Sequence, residues 1–158
     1  SIGNRIGRCP MNILFRDTMT VYNFRRDKTT GAEKWHRTVV KGIQWRHNRN
    51  ELSVSNNVQS VAKAEHITID FGHSYGNTAH YIQPCEYKSV PEEEIAKYWT
   101  LDTSEGMDVL VLGESEYEIN VDCKLSELSK YFQYTVTVTA VSDNRNMPRL
   151  KHIKVVGK

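Results

Sequence analysis

The sequence predicts a mainly β protein: a small antiparallel β-barrel or sandwich with one or two short helices. Three observations carry this. Stretches of β-branched and aromatic residues alternate with polar ones at period two, about eight of them along the chain. Gly, Asn, Asp and Pro punctuate them at the short spacing of a meander. Helical periodicity is confined to two short segments.

The first candidate strands are residues 18–24 and 35–45, with Gly42 marking a bulge in the second. Thr29, Thr30 and Gly31 supply the turn between them. Asn48, Arg49 and Asn50 supply the next turn, leading to a strand at 52–55. Strands at 67–71, 107–112 and 117–121 follow. The clearest is 134–141, where Tyr134, Val136, Val138 and Ala140 share one face while Thr135, Thr137 and Thr139 share the other, the pattern of a half-buried strand. Ser142, Asp143 and Asn144 end it with short polar side chains that tolerate turn geometry. A last strand at 153–156 pairs with it as a hairpin.

Residues 91–99 predict a helix, with Pro91 in its first turn, Glu92, Glu93 and Glu94 at the positive end of the dipole, and Lys97 near its end. Leu125, Leu128 and Phe132 recur at helical spacing over about two turns, too short to stand alone, so this connector must pack on the sheet. Residues 72–84 show no period and read as a long binding loop. His73, Tyr75, His80 and Tyr81 are its candidate interface residues.

At 158 residues the chain suits one β domain over 11–158, with 1–10 a flexible or appended lead. The net charge of +2 means that bulk charge alone drives binding neither to nucleic acid nor to a membrane surface. Cys9, Cys85 and Cys123 are odd in number and widely spaced, fitting neither a disulfide framework nor a paired zinc motif, so a reducing compartment is expected. No apolar run nears the roughly 20 residues of a membrane span, and residues 1–10 lack the apolar stretch of a signal peptide. The expectation is a soluble protein that is not exported.

Catalytic motifs are missing. His73 and His80 lie seven apart without a matching Cys or carboxylate pattern, so no metal is expected. Adjacent glutamates at 92–94 fan around a helix instead of converging on a substrate. Nothing places a base beside Cys85, and no glycine-rich phosphate cradle or nucleophile elbow occurs. The sequence therefore predicts no enzyme and no cofactor.

Basic residues do concentrate locally. Arg25, Arg26, Lys28, Lys34, Arg37, Lys41, Arg46 and Arg49 are interleaved with Tyr22, Trp35 and Trp45, and Arg25, Arg26, Lys28, Arg37, Arg46 and Arg49 are the candidate DNA-facing set. The plainer reading makes the charges a solvated face and the tryptophans core. A second cluster, Arg145, Arg149, Lys151, His152, Lys154 and Lys158, equally suits an edge strand protected from aggregation.

Several stretches carry a resemblance: Thr20-Val21-Tyr22-Asn23, the run 35–45 from Trp35 to Trp45, Tyr98-Trp99-Thr100-Leu101, Val141-Ser142-Asp143-Asn144-Arg145 and Val156-Gly157-Lys158. In this order, over about residue 11 to the end, they resemble an uncharacterised family of small proteins encoded in the head and tail morphogenesis region of Gram-positive tailed phages and prophages. The resemblance implies a head-completion or stopper-like neck component: a non-enzymatic β-barrel forming a homo-oligomeric ring around the DNA channel. Its partners would be portal or adaptor and tail proteins, with transient non-specific DNA contact and no membrane. It would be made in the host cytoplasm and sit in the virion. The long lead and the 72–84 loop depart from shorter members, so interfaces there do not carry over. Two other readings stand beside it: a small nucleic-acid-binding β-barrel using the basic, aromatic hairpin, and a metal enzyme or small hydrolase housed in the loop.

Overall fold

A computed structural model describes residues 15–55, 58–105, 107–120 and 123–158, with backbone alone between 47 and 63. The predicted lead at 1–10 lies outside the described residues, as do Met11 to Leu14. The strands are β1 (Asp17–Arg26), β2 (Glu33–Ser55), β3 (Val58–Asp70), β4 (His80–Tyr81), β5 (Tyr98–Trp99), β6 (Val109–Leu112), β7 (Thr135–Asn144) and β8 (His152–Gly157). Six of them pair antiparallel in the order β1-β2-β3-β8-β7-β6, and β6 returns to β1, so the sheet closes into a barrel. The mainly β expectation holds.

Alternation along the strands fills the barrel. Met19, Val21, Ile43, Ile67, Leu110 and Ile153 are almost wholly excluded from solvent inside it. Trp99 and Leu101 join that core from the 72–105 segment. β1 is buried on both faces. Its outward Tyr22 packs with Val109, Val111 and Leu128 in a second cluster, against which Tyr117, Ile119, Leu125 and Phe132 are packed. The predicted connector forms as a 3₁₀ turn, Leu125–Glu127, continuing into a helix, Leu128–Tyr131.

Gly42 is a bulge as expected: Asp17 pairs with Ile43 and Thr18 with Lys41, so Gly42 is skipped at φ +85°. The hairpin of β7 with β8 and the turn at Thr29–Gly31 also form, the latter through Asp27, whose backbone exchanges hydrogen bonds with Gly31 and Ala32.

Five expectations change. The turn at Asn48, Arg49 and Asn50 is a register shift inside β2, which carries one extra residue between Asn48 and Glu51 and runs on through 52–55, because β3 continues beside it. A bulge at Thr139 in β7 turns Ala140 outward and Val141 toward the core, ending the alternation read from the sequence. Residues 117–120 form no strand: both edges of β1 beneath them are already taken by β2 and β6. The helix expected over 91–99 is a turn, a 3₁₀ segment at Ile95–Lys97 and β5. Trp99 pairs in parallel with Tyr81, and Glu92 faces Arg25, Lys34 and His36 instead of serving a dipole. A six-residue helix, Pro84–Ser89, interrupts the chain where the loop ends, with Tyr87 its one buried side chain.

β2 and β3 outlast the barrel. β8 leaves β3 at Glu65 and β1 leaves β2 at Ile43, yet β2 and β3 stay paired to Ser55 and Val58. At about 3.3 Å per residue, the stretch of β2 from Asn48 to Ser55 makes a two-stranded ribbon about 25 Å long.

Candidate functional site

Among the basic residues of β1 and β2, Arg25, Lys34 and Arg37 reach the segments that cover the barrel. The Arg25 guanidinium donates to the Tyr87 carbonyl at 3.4 Å and to that of Val90, lies over the Tyr87 ring at 5.8 Å and sits 3.7 Å from Glu92. Arg26 pairs with Glu33 at 3.2 Å, and Lys34 lies 3.8 Å from Glu92. Arg37 donates to the Ser115 carbonyl at 2.8 Å, tying down the strap that follows β6. Lys28, Lys34 and Lys88 edge a cleft of about 340 Å³ floored by Phe24, which Glu92 and Glu105 also line. Arg46 stands elsewhere, beside His66 and Lys154 on the β3–β8 wall. The side chain of Arg49 lies outside the described residues.

The predicted DNA-facing set is therefore not one surface. Nor do the aromatics interleave with it: Tyr22 and Trp45 are buried, and Trp35 is half-buried with its ring N–H donating to the Met107 carbonyl at 3.2 Å. Beneath the cleft, Asp108 is 2% exposed and accepts from the Phe24 amide (2.8 Å), the Asp102 amide (2.9 Å) and the Asn23 side chain (3.0 Å). Burial outweighs these donors and pushes its carboxyl up to about 6. Burial likewise lowers the His36 imidazole despite Glu92 nearby.

The loop residues are brought together at one end of the barrel. Asp70 closes β3, and its carboxylate accepts from the Gly72 amide at 2.8 Å and from the Tyr75 hydroxyl, and lies 2.7 Å from His73 Nδ1. Burial would raise this carboxyl, but the hydrogen bonds from Tyr75, Gly72 and His73 win and hold it below the ordinary range. Tyr75 lies flat over Gly42, where a Cβ would come within 2.3 Å of the ring. Asn77 exchanges hydrogen bonds with the Lys41 backbone at 2.8 and 2.9 Å. The loop is thus pinned at three points. His80 is exposed at the start of β4.

Tyr81 sits among aromatics, 5.0 Å from Trp99 and 5.9 Å from Phe71. Arg145, from the β7–β8 turn, lies 4.8 Å from the Tyr81 ring centre and is held by Asp143 at 2.8 Å. The same turn lends its Lys151 carbonyl to the Phe71 amide at 2.8 Å. Its Leu150 and Pro148 edge a cleft of about 380 Å³ with Phe15, Phe71 and His73. The loop and the turn make one surface. Sequence reading marked both but not their meeting, whose one signal was the Asp143–Arg145 pair opposite unassigned aromatics.

Chemically this surface offers contacts. Among the described residues no group of three or more His, Cys, Asp and Glu is placed to hold a metal ion, and His73 already has its Nδ1 on Asp70. Cys85 is exposed on the Pro84–Ser89 helix. Residues 14–158 match the model of a family of unknown function, DUF6751. No curated protein and no solved structure matches the chain.

Proposed function

This chain belongs to the DUF6751 family of unknown function, and we propose that it is a non-enzymatic structural protein of the head-to-tail connection of a tailed phage or prophage particle, assembling as a homo-oligomeric ring around the DNA channel. Portal or adaptor and tail proteins would be its neighbours, and the virion neck its place. The observation that carries this is the β2–β3 ribbon. Each barrel strand has two neighbouring strands along part of its length, whereas from Asn48 to Ser55 and from Val58 to Ala64 the ribbon has no third strand among the described residues. An isolated two-stranded ribbon is marginal in water and its open edges recruit another chain. A closed barrel that sends out such an arm is built to engage a neighbour.

The basic residues fit the same reading. Four of them, Arg25, Arg26, Lys34 and Arg37, already face carboxylates within the chain, so DNA contact would be weak and transient. The test is the solution mass of the purified chain across concentration, by light scattering, with and without duplex DNA at low and high salt. A defined oligomer indifferent to DNA is expected. A monomer that binds duplex at low salt and releases it at high salt would replace this reading with the nucleic-acid-binding module.

A further inference from the structure

Three large apolar side chains stand out to solvent among the described residues: Tyr131 at 67%, Met147 at 47% and Leu150 at 70%. Their surroundings differ in sign. Met147 and Leu150 belong to the β7–β8 turn with Arg145, Arg149 and Lys151. Tyr131 lies with its ring 5.7 Å from that of Tyr117, in the strap where Glu114, Glu116 and Glu118 are all exposed. That alternation has a cause. Ser115 is buried, its Oγ 2.8 Å from the Tyr22 hydroxyl, and Tyr117 and Ile119 turn toward the Tyr22–Leu128 cluster, so the glutamates between them form an outward ridge.

Leu150 is also strained. At φ +52° it is the one non-glycine residue with a left-handed backbone among those described, and its side chain stands in solvent. The ridge covers the wall of β1, while the turn joins β7 to β8. β8 is three strands from β1 in either direction around the barrel. One chain cannot bring the two surfaces together.

We propose that the β7–β8 turn of one copy docks on the Glu114–Glu116–Glu118 ridge of a second copy, placing Met147 and Leu150 against Tyr131 with Arg149 and Lys151 over the glutamates. Because two different patches meet, the contact is heterologous and propagates head to tail, closing as a ring or running on as a filament. Charge complementarity sets its orientation and makes it weaken with salt. This inference rests on the assembly reading above and names the surfaces that reading leaves open.

The test uses the full chain and sedimentation velocity across concentration. Two variants reverse exposed charges on opposite sides of the barrel: Arg149→Glu with Lys151→Glu, and Glu114→Lys with Glu116→Lys, leaving Glu118 beside Arg37. Each alone is expected to weaken self-association by about 100-fold. An equimolar mixture recovers head-to-tail assembly with the two variants alternating, since the reversed turn of one faces the reversed ridge of the other and the native turn of the second faces the native ridge of the first. Unchanged thermal melts show that both variants fold. Variants that assemble like the native chain overturn this contact and leave the structural reading standing on its ribbon. Loss in both without recovery in the mixture also overturns it. A native chain that stays monomeric at all concentrations sinks both.

Discussion

Replacing Asp108 by Asn changes how stability depends on pH, and the size follows from the site. The carboxyl is buried with three N–H donors on it, yet burial raises it from 3.8 to about 6. A carboxyl raised on folding holds its proton more tightly in the native than in the unfolded chain. Its contribution therefore grows as pH falls through about 6 and levels off below 3.8. The full shift corresponds to about 3 kcal/mol, of which about 2 kcal/mol is realised between pH 7 and pH 4.5. Asn is close in shape and keeps one acceptor but does not titrate. The native chain should thus gain about 2 kcal/mol on the variant over that interval. Urea unfolding followed by tryptophan fluorescence at the two pH values measures this. Taking the difference between the two proteins cancels His36, whose lowered imidazole acts oppositely by favouring unfolding as pH falls below its ordinary value. A native-minus-variant difference that is the same at both pH values would refute the argument that desolvation dominates at Asp108.

Gly42→Ala places a Cβ within 2.3 Å of the Tyr75 ring at φ +85°, combining backbone strain with overpacking, and should cost about 2–5 kcal/mol in thermal or urea unfolding. Gly31→Ala, also at positive φ but with nothing within 4 Å, should cost only the strain, about 1–2 kcal/mol; equal losses in the two would remove the Tyr75 contact from the account. Tyr87→Phe deletes a buried hydroxyl that has no hydrogen-bond partner among the described residues, so stability should stay level or rise by up to about 1 kcal/mol. A clear loss in urea unfolding would mean that this hydroxyl is bonded in solution.

Where structure was legible beforehand, local pattern and tertiary demand agreed. Val136 and Val138 alternate with threonines and do face the core, and Gly42 breaks a strand pattern and does form a bulge. Where the readings failed, a neighbour intervened. Glu92, Glu93 and Glu94 after Pro91 are good helix-start chemistry, but Glu92 is drawn to Arg25, Lys34 and His36 and Trp99 to Tyr81. Residues 117–120 have a strand-like alternation because Tyr117 and Ile119 point inward, although no strand edge is free beside them. The basic run of β1 and β2 looked like one face. Along a twisted, bulged hairpin its members turn to different walls, and Arg25, Lys34 and Arg37 meet carboxylates from segments that no local window contains.

By itself the sequence determined the β class, the main strands, the β7–β8 hairpin, the local basic clusters and the near-neutral total. These follow from period, turn residues and counting, which depend on neighbours a few positions apart. Tertiary structure alone decided that the sheet closes, that β2 and β3 run on as a ribbon, and that the loop at His73–Tyr81 meets the turn at Arg145–Lys151 while an acidic ridge faces out from β1's wall. Those outcomes depend on which edges remain unpaired and which charges find partners far along the chain, quantities that exist only once the barrel has closed.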